Sequence, residues 1–253
     1  MPEPERTLRV CALYPDLMNI YADRGNLLLL RRRCDWRGIG FELAGAGLGD
    51  PVDPDAHDLF YLGGGQDRDQ ALCAQDLATV KREALHAAAA RGAVVLGVCG
   101  GHQLLGHGYQ LGDERLPGLG LVDLETVRED GPRLIGNVAI EVDLGPSGSP
   151  RVLAGFENHG GRTRLGAGTA ALGRVLRGHG NDGRSGEEGV RGGPHATVIG
   201  TYLHGPLLPK NAWFADWLAA TALGLAPSAL APLDDALEDA AHASARHAAG
   251  LAA

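Results

Sequence analysis

Apolar positions along the first hundred residues switch between two periods. Residues 7–13 form a short apolar run rich in β formers, which predicts a first strand. Residues 23–37 predict a helix, with the four leucines at 27–30 supplying its apolar face. Residues 39–43 read as a weaker second strand and 58–62 as a third, ended by Gly63-Gly64-Gly65. Residues 69–91 are alanine-rich with apolar residues at helical spacing, and Gly92 stops that helix. Residues 93–98 are continuously apolar, as in a strand buried on both faces. This strand runs into Cys99-Gly100-Gly101, after which Gln103-Leu104-Leu105 opens a helix.

Strand alternating with helix predicts an α/β fold around a mainly parallel sheet with helices on both faces. The second half differs. Residues 121–127, 134–142, 152–157 and 197–203 are strand candidates with few helices between them, so some antiparallel pairing is expected there. Residues 179–194, rich in glycine and charge, read as an exposed loop. A helix follows at 213–223, and the Ala-rich tail 234–253 reads as a surface helix or one that docks a partner. No repeat or linker divides residues 1–253, so a single domain is expected.

Composition narrows the function classes. The formal net charge of -8 disfavours a phosphate-backbone partner, so nucleic acid is not expected. Arg31-Arg32-Arg33 reads as a solvated helix face rather than a basic patch. No signal-peptide pattern opens the chain, and no apolar run reaches the roughly 18 residues of a membrane span. The four cysteines, at 11, 34, 73 and 99, form no Cys-x-x-Cys pair, and the ten histidines lack zinc-type spacing. A cytoplasmic, reduced, metal-free protein is the expectation.

The strongest chemical signal is Gly97-Val98-Cys99-Gly100-Gly101 at the carboxyl end of the apolar strand. It has the logic of a nucleophile elbow: a sharp strand-to-helix turn that lifts the nucleophile above the sheet and needs small neighbours. A helix starting just after it favours thiolate, and the Gly100 N–H is placed to bind a developing oxyanion. An inert buried thiol is the competing reading of Cys99 and the preferred one for Cys11, Cys34 and Cys73, which lack those glycines. A thiol nucleophile needs a proton carrier. His204, just past the apolar run at 198–203, would lie on the sheet edge where open α/β folds bind ligands. His159, flanked by Gly160-Gly161, is its rival, and His102 reads as a first-turn helix residue facing a neighbour. The Gly63-Gly64-Gly65 loop offers backbone N–H groups as the second half of an oxyanion hole, with Gly64 the chosen donor; a plain structural turn is the alternative. No Gly-Lys-Ser/Thr follows it, which argues against a phosphate loop.

Together these pieces resemble class I (triad-type) glutamine amidotransferases, and the cobyric-acid-synthase-like branch fits best. That branch carries its cysteine in Gly-x-Cys-Gly-Gly and its histidine in Gly-Thr-Tyr-Leu-His-Gly, here Gly200-Thr201-Tyr202-Leu203-His204-Gly205. Four further strings make the chain similar to the GatD-type glutaminase subunits of lipid II isoglutaminyl synthase. They are Leu17-Met18-Asn19-Ile20-Tyr21-Ala22-Asp23-Arg24-Gly25-Asn26, Gly63-Gly64-Gly65-Gln66-Asp67-Arg68-Asp69-Gln70, Gly155-Phe156-Glu157-Asn158-His159-Gly160-Gly161-Arg162-Thr163 and His204-Gly205-Pro206-Leu207-Leu208-Pro209-Lys210-Asn211.

The resemblance implies a three-layer, flavodoxin-like amidotransferase fold and a glutaminase with Cys99 as nucleophile and His204 as base. It also implies Arg133, ahead of Leu134-Ile135-Gly136, as the group that recognises glutamine; a surface arginine is the bland alternative. It implies a heterodimer with a Mur-ligase-like, MurT-type synthase subunit that carries ATP and Mg, this chain needing no cofactor. That partner would amidate the D-glutamate α-carboxyl of a lipid-linked stem peptide in peptidoglycan synthesis. Most triad amidotransferases carry His-x-Glu, whereas His204 is followed by Gly205-Pro206. The orienting acid is then Glu157 or Asp67 of this chain, a carboxylate of the partner, or absent. A cobyric-acid-type amidotransferase and a non-catalytic regulatory subunit are the other readings of the whole chain.

Overall fold

The computed structural model describes residues 4–20, 24–145 and 149–252. Position 23, where the first helix was expected to begin, and Tyr21-Ala22 of the first family string lie outside the described residues. The first half alternates as expected: β1 (Thr7–Leu13), α1 (Arg24–Asp35), β2 (Gly40–Ala46), β3 (Leu59–Leu62), α2 (Asp67–Asp76), α3 (Arg82–Ala90), β4 (Val94–Val98) and α4 (Gly100–Leu105). The second half adds β5 (Gly108–Leu111), β6 (Glu114–Pro117), β7 (Leu124–Arg128), β8 (Leu134–Val142), β9 (Arg151–His159), β10 (Gly161–Leu165) and β11 (Gly173–Arg177). It closes with β12 (Glu187–Glu188), β13 (Val190–Gly192), β14 (Val198–Thr201), α5 (Ala212–Ala222) and α6 (Ala236–Ala248).

The central sheet runs β13-β14-β4-β3-β1-β2, parallel throughout except for the edge strand β13. The inner strands β3 and β4 read as unbroken apolar runs because both faces are covered. Cys11, Leu13, Phe60, Leu62 and Val95 pack against Cys73, Ala74, Leu77 and Leu85 on one side. Leu8, Val10, Leu59, Tyr61, Val94, Leu96 and Val98 pack against Leu30, Cys34, Phe214 and Leu218 on the other. Side chains alternate across a strand, so each face takes every second residue. Each fully buried large aliphatic or aromatic side chain contributes about 1.5–3 kcal/mol.

The antiparallel pairing expected in the second half is present, but most of it leaves the central sheet. Two separate four-stranded sheets form, β10-β7-β5-β6 and β12-β11-β8-β9, with β5 and β7 the one parallel pair between them. The helix expected over 69–91 is α2 and α3 joined by one wide turn at Leu77–Lys81. There the Lys81 ammonium turns inward to Asp76 and the Gly47 carbonyl, over the Tyr14 ring.

Two expectations fail on burial. Arg33 is not solvated: it is 1% exposed and clamps Asp216 of α5 and Asp235 ahead of α6. Three arginines in a row give no sign of which one meets distant carboxylates. The stretch 179–194 is not a simple exposed loop either. It contains β12 and β13 and buries Asn181 and Glu188. The tail helix α6 lies across the surface, tied by Asn137 Nδ2 to the Ala248 carbonyl at 3.0 Å and by His242 Nδ1 to the Lys210 carbonyl at 2.8 Å. No helix among the described residues is long and apolar enough to cross a membrane.

Candidate functional site

β4 delivers Cys99 to the carboxyl edge of the sheet with φ 54° and ψ -107°, a left-handed backbone that non-glycine residues rarely adopt. The glycines around it are required by contact. A Cβ on Gly101 would lie 2.1 Å from the Leu62 carbonyl oxygen, and one on Gly97 2.8 Å from the Gly101 backbone. Helix α4 therefore starts at Gly100, three residues earlier than the apolar pattern indicated, with Cys99 as its cap. In a first turn the N–H groups have no acceptor inside the helix. Gly101 N–H finds the Gly63 carbonyl at 3.0 Å, which brings the Gly63-Gly64-Gly65 loop against the elbow. Ile20 N–H donates to the Gly64 carbonyl at 3.2 Å, and Gly65 N lies 3.2 Å from where a Gly100 Cβ would sit. The structure thus brings the Gly63-Gly64-Gly65 loop against Gly100 and Gly101, beside Cys99.

β14 is the neighbour of β4, with Thr201 in register with Val98. The chain leaving β14 carries Tyr202, Leu203 and His204 along the same edge. His204 is fixed by paired backbone bonds with Phe156, N–H to O at 2.9 and 3.2 Å, and its ring stands edge-on to Phe156. It is 1% exposed. Burial, and then the nearby His159, Lys210 and Arg133, push the imidazole down to about 4. At neutral pH it is an uncharged base.

His159 is also buried, but its ring stacks on Tyr202 at 3.5 Å and its Nδ1 meets the Gly161 carbonyl at 2.8 Å. His102 is in the first turn of α4, as expected, edge-on to Tyr202 at 4.8 Å and pushed down to about 3 by burial. Arg133 sits on the exposed rim just before β8, donating from Nε and Nη2 to Asn158 at 2.7 and 2.8 Å. Its charge reaches His204. Of the two candidate acids, Glu157 is buried and accepts the His179 and Gly180 N–H groups at 2.6 and 2.9 Å, with His159 Nε2 at 3.6 Å. Asp67 opens α2 and pairs with Arg128 at 3.2 Å. Cys11, Cys34 and Cys73 are buried, and burial pushes their thiols up to about 11, 12 and 12. No group of metal-ligating side chains occurs among the described residues.

Sequence reading missed the polar layer behind this edge. Gln70 Nε2 donates to Gln103 Oε1 at 2.8 Å, Gln103 Nε2 to Tyr202 Oη at 3.2 Å, and Tyr202 Oη meets Thr163 Oγ1 at 2.7 Å. Glu188 is fully buried and its carboxyl is pushed up to about 8, chiefly by burial and further by Glu157. Gln70, Tyr202 and Thr163 stand in family strings, which is a usable signal. Glu188 stands in a glycine- and charge-rich stretch, which gives none.

Comparison with known proteins adds to this geometry. The family described as the CobB/CobQ-like glutamine amidotransferase domain matches residues 9–212. The chain is 39% identical over 204 residues to the GatD subunit of the glutamine-hydrolysing lipid II isoglutaminyl synthase of Staphylococcus aureus, covering 80% of this chain and 79% of that protein. It is 37% identical to the Streptococcus pneumoniae protein of the same name over 217 residues, covering 85% and 80%. A cobyric acid synthase of Pelotomaculum thermopropionicum is 41% identical, over 48% of this chain and 25% of that one. The solved structure of PurLQS from Thermotoga maritima matches with a TM-score of 0.57 at 19% identity, over 86% of this chain and 95% of that one, a likeness of fold.

Proposed function

From the premise that this chain belongs to the CobB/CobQ-like glutamine amidotransferase family, we propose that it is the cytoplasmic glutaminase subunit of a lipid II isoglutaminyl synthase. The observation that carries the reading is the left-handed Cys99 at the end of β4, beside the strand that leads to His204. Cys99 Sγ attacks the side-chain amide carbon of glutamine as the uncharged His204 imidazole takes the thiol proton. The oxyanion rests on Gly100 N–H and on an N–H of the Gly64 loop. Collapse of the tetrahedral intermediate breaks the C–N bond, and His204 passes its proton to the departing nitrogen, releasing ammonia and leaving a thioester. His204 then takes a proton from water as the hydroxide attacks the thioester. Glutamate leaves and the sulfur recovers its proton. Arg133, on the rim, recognises the glutamine carboxylate.

Ammonia protonated in bulk water is no nucleophile, so a synthase subunit must receive it directly. The reading assigns that role to a Mur-ligase-like, MurT-type partner that binds ATP and Mg and activates the D-glutamate α-carboxyl of a lipid-linked stem peptide. Glu157 and Asp67 are engaged elsewhere, which favours a carboxylate of that partner as the group that orients His204. The test is to co-purify the native partner and measure glutamate release by this chain alone and in the complex. Turnover should rise on assembly and vanish in Cys99→Ser, with amidated stem peptide formed only in the complex. Near-normal turnover in Cys99→Ser would remove the thiol mechanism, and full turnover without the partner would remove its proposed acid.

A further inference from the structure

Gly189, at φ +66°, passes so close to β14 that a Cβ there would lie 2.4 Å from the Gly200 carbonyl oxygen. Asn181 pins this glycine from the other side, accepting its N–H at 2.8 Å and donating to its carbonyl at 2.9 Å. The preceding Glu188 is fully buried at the end of β14. Its Oε1 accepts Tyr202 N–H at 2.6 Å, and the Thr201 hydroxyl reaches Oε1 and Oε2 at 3.1 and 3.0 Å. Thr201 Oγ1 accepts Leu203 N–H at 3.0 Å, and the Thr201 carbonyl accepts Cys99 N–H at 2.8 Å. One carboxyl group thus holds three consecutive residues, directly or through one hydroxyl. That segment is bonded to Cys99 at one end and leads into His204 at the other. A buried carboxyl is costly unless its hydrogen bonds are made, and these bonds all go to that segment.

We propose that Glu188 is a positioning residue for glutamine hydrolysis, its carboxyl fixing the Thr201-Tyr202-Leu203 backbone so that Cys99 and His204 meet in register. The inference rests on the glutaminase reading above. Glu188 acts through these hydrogen bonds and does not touch the reacting atoms.

The experiment uses the full chain with its co-purified partner and compares Glu188→Ala, Glu188→Gln and Thr201→Val with the wild type. kcat and KM for glutamine are measured per folded site, together with the rate of Cys99 alkylation by iodoacetamide. Glu188→Ala strands Tyr202 N–H and lets the segment shift. A displacement of about 1 Å in a catalytic constellation costs on the order of 10²-fold in rate, so kcat should fall by about that factor with KM little changed and alkylation slowed. Glu188→Gln keeps the shape and an acceptor for Tyr202 N–H, and should restore most of kcat. Should the alanine variant not fold, Thr201→Val carries the test: it keeps the volume, cuts the link to Leu203, and should lose roughly 10-fold in kcat. Wild-type kcat per folded site in whichever of these two variants is read would overturn the inference, as would a glutamine variant as impaired as the alanine one. If the wild-type complex itself releases no glutamate, the glutaminase reading fails and takes this inference with it. An active wild type with unaffected variants sinks only the role of Glu188.

Discussion

Gly101→Ala tests the elbow from its steric side. The added methyl would lie 2.1 Å from the Leu62 carbonyl oxygen, an atom of β3 in the middle of the sheet. Carbon–oxygen contacts settle at about 3.3–3.6 Å, so α4 or β3 has to give by roughly 1.2 Å. The yielding element is the six-residue α4, because β3 is held by strands on both sides. Its displacement moves Gly100 N–H and the Cys99 backbone relative to the Gly64 loop. Overpacking of this kind costs about 1–3 kcal/mol, which for a domain of this size lowers Tm by roughly 2–12 °C. The same shift costs on the order of 10²-fold in kcat. Gly136→Ala is the matched control. A Cβ there meets nothing within 4 Å, and Gly136 is not among the positive-φ glycines. Its stability should stay within about 0.5 kcal/mol of the wild type. Thermal melts and glutamate-release assays on both variants decide the matter. A Gly101→Ala protein that melts and turns over like Gly136→Ala would show that the close approach to Leu62 does not shape the site.

His204→Ala should lose several orders of magnitude in glutamate release, whereas His159→Ala, whose ring is spent on Tyr202 and Gly161, should keep part of its turnover when folded. The reverse ranking moves the base to the Gly160-Gly161 loop. Arg133→Ala should raise KM for glutamine about 10- to 150-fold, the loss of about 1.5–3 kcal/mol of hydrogen bonding to a charged group, with kcat little changed. An unchanged KM returns Arg133 to a plain surface residue. Stability should peak near pH 6.5. Below it the folded chain resists protonating His204 and His102, held down to about 4 and 3. The unfolded chain then binds more protons, and stability falls as pH drops. Above it Glu188, raised to about 8, keeps a proton that the unfolded chain has lost, so stability falls as pH rises toward 8. Urea midpoints against pH should show both limbs, and Glu188→Gln should flatten the upper one; an unaltered upper limb refutes the assignment.

The sequence by itself determined the inner parallel strands β1, β3 and β4 and the place of a cysteine at their edge. Buried parallel strands must be apolar on both faces, so residues 93–98 could be read without tertiary information. The elbow glycines were legible because a Cβ on Gly97 or Gly101 would run into backbone, and both are local to the cysteine they serve. His204 was legible as a candidate because the apolar run 198–203 leads straight to it. What the sequence left open depends on partners far apart in the chain. The fate of Arg33 is set by Asp216 and Asp235, some two hundred residues away. The departure of the antiparallel strands into two further sheets is a matter of pairing, which alternation does not encode. Glu188 shows the limit most clearly. Its neighbours are glycine and charge, the local mark of a solvated loop, and only the close pass of Gly189 against Gly200 turns its carboxyl under β14. Local sequence reports which residues prefer water, while long-range packing decides which of them are denied it.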